Sequence, residues 1–385
     1  MRFSDALAGP GLGAIAEIKR RSPSLGDIRP DADPARIAHE YATAGAAAVS
    51  VLVDERFGGS WDDLRAARAS TGVPLLAKGF FSTEEHLRTA KDAGADAVLL
   101  LLRDLDDEHI RRLLAAAGEL GLDTLVEAHD ADELERAVLI GAPVIGVNAR
   151  DLSTFEIDRD AQLALVARIP ADRIAIAESG IRTRAQGAAA ELAGADAILV
   201  GSTLMQAPDP AAKLRELLRR PLVKVCGLTR EEDVGVAAEA GADLAGFVLA
   251  QESPRAAKDV LPVPDELLAV AVWVGEAGTS GAPVDQVHER EEGRIRGRNG
   301  VLLREGEQVA RLLDLPWEEE DPGHWDRAAA EPGRVMLAGR LAGDNVAEAI
   351  RRVQPWAVDA ASRLESAPGI KDPAKVRAYV EAARS

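Results

Sequence analysis

Ala93-Gly94-Ala95-Asp96-Ala97-Val98-Leu99-Leu100 recurs with two changes as Ala193-Gly194-Ala195-Asp196-Ala197-Ile198-Leu199-Val200. A third copy is Ala240-Gly241-Ala242-Asp243-Leu244-Ala245-Gly246-Phe247, and a looser one is Ala44-Gly45-Ala46-Ala47-Ala48-Val49-Ser50-Val51. Each copy reads as a helix stopped by glycine, a short turn, and an apolar strand without alternation. Strands that are apolar throughout are covered on both faces, which is the mark of a parallel sheet. The copies start 49, 100 and 47 residues apart. Those intervals hold two, four and two βα units of roughly 25 residues each.

Working outward, eight strand candidates lie before residue 205: 14–19, 48–53, 74–78, 97–102, 123–127, 144–148, 174–178 and 197–201. Eight βα units in ~200–250 residues is the count of a (β/α)8 barrel, whose active site lies at the strand C-termini. An open doubly wound sheet shares the alternation and is the competing arrangement. After Ala207-Pro208-Asp209-Pro210 a basic helix ends at Arg219-Arg220-Pro221, and the βα rhythm restarts. Strands are expected at 222–226, 244–249, 269–274, 284–288, 300–303, 311–315, 335–338 and 357–361. The connections around 275–283 and 290–299 are too short and too rich in glycine or charge for full helices. The expected architecture is α/β, two TIM barrels in tandem with domains 1–219 and 220–385, the second abbreviated.

Composition narrows the function. The chain has 385 residues, 46 Lys+Arg against 64 Asp+Glu, and a formal net charge of −18. Such an acidic surface repels phosphate backbones, so no nucleic-acid partner is expected, while a small phosphorylated ligand needs only a few local donors. With 47% hydrophobic residues the chain can bury sizeable cores. Its single cysteine points to a reducing cytosol. Residues 1–20 lack the pattern of a signal peptide, and the longest apolar runs fall short of the ~20 residues that span a bilayer. A cytoplasmic protein without membrane association is expected.

Polar groups gather where the first eight strands stop. Glu17 and Lys19 close strand one on one face. Lys78 closes strand three, Glu127 strand five, Asn148 and Arg150 strand six, Glu178-Ser179-Gly180 strand seven and Gly201-Ser202 strand eight. Lysines, carboxylates, an amide and an arginine at one mouth suit acid–base work on an anionic substrate. The glycines after strands seven and eight fit the usual barrel phosphate site. Taken singly, each charged strand end is as readily a solvated one.

These residues resemble a family. Ala16-Glu17-Ile18-Lys19-Arg20-Arg21-Ser22-Pro23-Ser24 is similar to the opening signature of indole-3-glycerol-phosphate synthase. The likeness runs through Ser50-Val51-Leu52, Phe57-Gly58-Gly59-Ser60, Leu125-Val126-Glu127, Gly146-Val147-Asn148-Ala149-Arg150-Asp151-Leu152, Glu178-Ser179-Gly180-Ile181 and Val200-Gly201-Ser202, covering residues 1–205. The resemblance implies a lyase of tryptophan biosynthesis that needs no cofactor or metal. Its substrate is 1-(o-carboxyphenylamino)-1-deoxyribulose 5-phosphate, which undergoes ring closure, decarboxylation and dehydration. By that resemblance Lys78 donates a proton to the attacked carbonyl and Glu127 handles protons in the dehydration. Lys19 stabilises oxyanion charge, Glu17 tunes the lysines, and Asn148 and Ser179 complete the catalytic set. Arg150 suits a carboxylate, Gly180, Gly201 and Ser202 cradle phosphate, Ser22 sits at the mouth, and Phe57 packs either on the substrate ring or within its own loop. The family usually carries aspartate after the strand-three lysine, where this chain has Gly79. Its loss is expected to lower the Lys78 pKa unless the field comes from elsewhere. The family's N-terminal helical extension has no room before strand one, so weaker substrate capture is expected.

Residues 222–385 resemble phosphoribosylanthranilate isomerase through Lys224-Val225-Cys226-Gly227-Leu228-Thr229, Ser253-Pro254-Arg255, Leu312-Leu313-Asp314, Asn345-Val346 and Pro368-Gly369-Ile370-Lys371-Asp372. The resemblance makes Cys226 the general base, Asp314 the general acid and Arg255 a carboxylate contact. It also implies contact with other enzymes of tryptophan biosynthesis. Against activity, the family's Gly-Gly after strand seven appears as Gly339-Arg340 and its Ser-Gly after strand eight as Ser362-Arg363. The loop after Asp314 carries the acidic run Trp317-Glu318-Glu319-Glu320-Asp321, and Glu289 follows His288 in place of glycine. The expectation is an active synthase with an inactive or altered second barrel. The alternatives are a fully bifunctional enzyme, a C-terminal assembly or regulatory module, and a related enzyme with a changed substrate.

Overall fold

The computed structural model describes residues 1–22, 25–151, 154–291, 297–315 and 320–385. Two compact units divide the chain, one of residues 1–182 and 187–218, the other of residues 183–186 and 219–385.

In the first unit eight strands close a barrel: β1 (Gly13–Ile18), β2 (Ala48–Leu52), β3 (Leu75–Lys78), β4 (Ala97–Leu101), β5 (Asp123–Ala128), β6 (Val144–Asn148), β7 (Ile174–Glu178) and β8 (Ala197–Val200). All pairings are parallel, and β1 closes the ring by pairing with both β2 and β8. The repeated phrase explains itself here. Gly45, Gly94, Gly194 and Gly241 take φ of 97°, 96°, 104° and 86°, the left-handed stop that glycine adopts without penalty. The aspartate two residues on then anchors a neighbouring strand. Asp96 accepts from the Leu75 amide, Asp196 from Ala175 and Asp243 from Val223, each at 2.8 Å. Side chains of Asp33, Ser60, Thr83, Asp106, Asp130 and Asp158 cap the intervening helices at their N-termini.

A five-residue helix, α1 (Phe3–Leu7), precedes β1. Phe3 and Leu7 pack with Ile15, Leu76, Ala97, Leu125 and Ile176 inside the barrel. The Ser4 amide and hydroxyl both reach Asp123 at 2.9 Å, at the start of β5. Residues 1–12 thus plug the floor of the barrel, opposite its mouth.

The second unit closes another eight-stranded barrel: β9 (Leu222–Cys226), β10 (Leu244–Val248), β11 (Leu268–Val274), β12 (Val284–His288), β13 (Asn299–Arg304), β14 (Glu307–Leu313), β15 (Val335–Leu337) and β16 (Ala357–Ala360). Tandem TIM barrels, the second abbreviated, are therefore what the chain forms. Sequence periodicity does not foresee one feature. Strand β13 runs antiparallel to both β12 and β14. Glu305 and Gly306, at φ of 51° and 84°, join β13 to β14 in a two-residue turn. Two consecutive positive φ values suit the twist of a tight hairpin.

Candidate active site

The mouth of the first barrel is built one layer above its apolar filling. Ile15, Leu76, Leu125 and Ile176 face inward among the core residues, and the next inward positions two residues on are Glu17, Lys78, Glu127 and Glu178. Gly146 lies on the same inward row below Asn148. A Cβ there would fall 2.1 Å from the Glu178 Oε1, so glycine makes room for that carboxylate. A side chain at Gly201 would likewise approach the Glu17 Oε1 to 2.3 Å.

Lys78 sits at the centre. Its Nζ is 2.9 Å from Glu178, 3.3 Å from Glu17 and 3.9 Å from Glu127. Lys19 pairs with Glu17 at 3.0 Å. Asn148 donates to the Glu127 Oε1 at 3.2 Å, and its own Oδ1 accepts from the Arg150 amide at 3.0 Å. Burial alone would depress the Lys78 amine, but the charges of Glu178, Glu17 and Glu127 hold it well above the usual lysine range. The expected lowering after loss of the aspartate at Gly79 does not occur, because these three carboxylates supply the field. A side chain at Gly79 would meet the Val53 Cγ2 at 3.0 Å. Burial pushes the Glu178 carboxyl up. Burial acts the same way on Glu127, yet His129 at 3.2 Å, the charge of Lys78 and a hydrogen bond from Asn148 bring it below the ordinary carboxylate range.

These groups open on a cavity of about 500 Å³, within the size range of small-molecule sites. Glu17, Lys19, Ser22, Phe57, Lys78, Glu127, Asn148, Arg150, Ser179, Gly180, Gly201 and Ser202, every residue to which the resemblance gives a role in the first barrel, line it. Ser179 and Gly180 take φ of 70° and 72°, a left-handed step rare for serine that turns the chain sharply at the end of β7. Phe57 stacks on Phe80, ring centroids 6.3 Å apart, with the Arg56 guanidinium 3.9 Å above the Phe80 ring. Arg21 is exposed and pairs with Asp27 at 2.7 Å. Pro23, Ser24 and Leu152 of the quoted motifs lie outside the described residues.

Two site residues escaped the sequence reading, Phe80 and His129, and a third, Glu178, stands there as a strand-end group without a role. Glu178 ends its strand as Glu127 does, which is the signal for it. Phe80 follows Lys78 by two residues, on the cavity wall. His129 follows Glu127 by two and directly precedes the helix N-cap Asp130, with Glu133 four residues on in the first helical turn.

In the second barrel Cys226, Arg255 and Asp314 line one cavity of about 60 Å³ with Gln286, His288 and Asp359. Lys224, wholly buried, bonds Asp359 at 3.0 Å, and the Arg255 Nε meets both Glu365 oxygens at 2.9 and 3.0 Å. Burial and the Asp359 charge push the Cys226 thiol up. At the two altered glycine positions, Arg340 takes a φ of 59°, and Arg363 is bound to Asp344 at 2.6 and 3.0 Å and to the Arg340 carbonyl at 3.1 Å. Of the acidic run, residues 317–319 lie outside the described residues. Glu320 is exposed, 3.9 Å from Arg340, and Asp321 is paired with Arg327 and Arg298. Glu320 therefore lies near one of the two altered glycine positions. Among the described residues no group of three or more His, Cys, Asp or Glu is arranged to hold a metal ion.

A family model of indole-3-glycerol phosphate synthase matches residues 1–217, and one of N-(5'phosphoribosyl)anthranilate (PRA) isomerase matches residues 324–382. The chain is 48% identical over 208 residues to the indole-3-glycerol phosphate synthase of Nocardioides sp., covering 54% of this chain and 80% of that protein. It is 45% identical over 214 residues to the Mycobacterium ulcerans protein of the same name, covering 55% and 79%. Among solved structures, TrpF from Jonesia denitrificans is 29% identical with a TM-score of 0.34, covering 43% of this chain and 97% of that one.

Proposed function

The chain belongs to the indole-3-glycerol phosphate synthase family through residues 1–217, and on that premise we propose that its first barrel converts 1-(o-carboxyphenylamino)-1-deoxyribulose 5-phosphate to indole-3-glycerol phosphate, carbon dioxide and water. The observation that carries this reading is the Lys78 ammonium held by Glu178, Glu17 and Glu127 at the base of the 500 Å³ cavity. In ring closure a bond forms between the aromatic carbon bearing the carboxylate and the ketone carbon, and the ketone oxygen takes a proton from Lys78. The carbon–carboxylate bond then breaks to release carbon dioxide. Dehydration follows as the hydroxyl takes a proton from solvent and leaves as water while Glu127 accepts the proton lost from the ring system, and proton exchange between Glu127, solvent and Lys78 restores both groups. Lys19 and Arg150 face the substrate's anionic groups, Phe57 and Phe80 its ring, and Ser179, Gly180, Gly201 and Ser202 its phosphate end.

The second barrel is a phosphoribosylanthranilate isomerase relative whose activity is absent or far below that of the synthase. A cavity of about 60 Å³ is several-fold smaller than the ~300 Å³ at which small-molecule sites begin. Arg363 is held by Asp344 instead of facing an anion. The bifunctional reading draws on Cys226, Arg255 and Asp314 lining that one cavity. Complementation of two tryptophan auxotrophs separates the readings. The full chain restores growth to a strain lacking the synthase and leaves a strain lacking the isomerase without growth. Growth of the second strain that depends on Cys226 establishes the bifunctional enzyme instead.

A further inference from the structure

Strand β5 hands over to helix α2 (Ala131–Leu139) through His129-Asp130. Asp130 is the N-cap, accepting from the Glu133 amide at 2.8 Å, and the Glu133 Oε2 reaches back to the His129 amide at 2.8 Å. That is a variant of the capping box, in which the Glu133 carboxylate takes the amide before the N-cap instead of the N-cap amide itself. The same Glu133 oxygen lies 3.0 Å from the His129 Nδ1, which fixes the ring. Its other nitrogen, Nε2, then sits 3.2 Å from the Glu127 Oε1. An imidazole with one carboxylate oxygen hydrogen-bonded at Nδ1 and a second at ion-pair distance, 3.2 Å, from Nε2 is favoured as a cation, because the neutral ring carries a single N–H. The remaining charged or polar groups at the Glu127 carboxylate are Asn148 at 3.2 Å, Lys78 at 3.9 Å and the neighbouring Glu178.

We infer that His129, locked by Glu133, is a positioning residue that keeps the Glu127 carboxylate ionised and aimed into the mouth. Two buried carboxylates side by side resist sharing full charge. Lys78 touches Glu178 more closely than Glu127, so Glu127 owes its ionised state to a second cation. His129 is that cation, and its side chain is only 14% exposed. Burial works against its charge, while Glu127 and Glu133 push the imidazole up to about 10. The helix cap is thereby coupled to the proton acceptor: the contact that starts α2 also sets the ring facing the site.

The kinetic part of the test rests on the synthase reading, and the spectroscopic part does not. In the full chain with labelled histidine, the resonance lost in His129→Gln identifies the ring, and its titration is followed by NMR. The cation is expected to persist beyond pH 8, and a midpoint near the ordinary ~6.5 overturns the inference whether or not the chain turns over substrate. His129→Gln is expected to lower kcat at least ~10-fold, the scale for groups that orient a ligating or reacting side chain, with KM within about threefold. The acid limb of the kcat profile should move up by about one unit as Glu127 becomes easier to protonate. Glu133→Gln retains a capping side chain and should move the limb the same way by less. Wild-type kcat and an unmoved limb in both variants also overturn it. Absence of turnover in the wild type removes the synthase reading and leaves the titration to decide.

Discussion

At the scale of single residues, the mouth of the first barrel works by unequal treatment of like groups. Glu127 and Glu178 are both buried, yet their surroundings drive one below and the other above the ordinary carboxylate range. Neighbouring carboxylates separated in this way take different proton-transfer roles. Glu127→Gln should lower kcat by ~10²-fold, the usual contribution of a positioned base, measured as initial rate at saturating substrate. A rate within twofold of wild type removes Glu127 from the reaction. Gly201 tests a different assignment. Phosphate docking alone would make a bulky replacement raise KM first. Because a side chain there meets the Glu17 carboxylate, which touches both lysines, Gly201→Leu should also lower kcat by at least ~10-fold. A pure KM effect would return Gly201 to the phosphate role only. The chemistry of this site was legible because each polar residue ends an apolar run. The partnership of His129 with Glu127 was not, since it depends on a helix cap folding back over the strand end.

Among elements, the eight strands of the first barrel were legible to within a residue or two, for runs covered on both faces carry their own signature. The second barrel shows where that reading stops. Strand β13 was expected at 300–303 as another βα strand, and β14 at 311–315. The structure joins them as a hairpin that starts β14 at Glu307. The signal was present as Glu305-Gly306 between two apolar stretches, a two-residue loop of the hairpin kind. Helix α1 carries a stability prediction. Phe3 is fully buried in the barrel filling, so Phe3→Ala should cost the first unit ~3–5 kcal/mol. Urea unfolding followed by fluorescence of Trp61, the first unit's tryptophan, measures it. A loss under ~1 kcal/mol would show that the floor of the barrel closes without its plug.

For the whole molecule, two barrels of common architecture differ in what their mouths offer. One opens on about 500 Å³ with a lysine held by three carboxylates, the other on about 60 Å³ with its mouth arginines bound to acidic side chains. The sequence disclosed the second barrel's altered glycine positions, but not the size of its cavity. That size depends on how side chains from several strands pack together. The strong net charge of −18 is compatible with an anionic substrate because Lys19, Lys78 and Arg150 place local cationic donors at one cavity, among the carboxylates that orient the two lysines. The most direct measurement is the rate of indole-3-glycerol phosphate formation from its carboxyphenylamino-deoxyribulose phosphate precursor by the purified full chain and by its Lys78→Ala variant. The wild type should turn over, and the variant should fall by at least ~10²-fold. No product from the wild type, or an undiminished rate in the variant, would contradict the proposed synthase site.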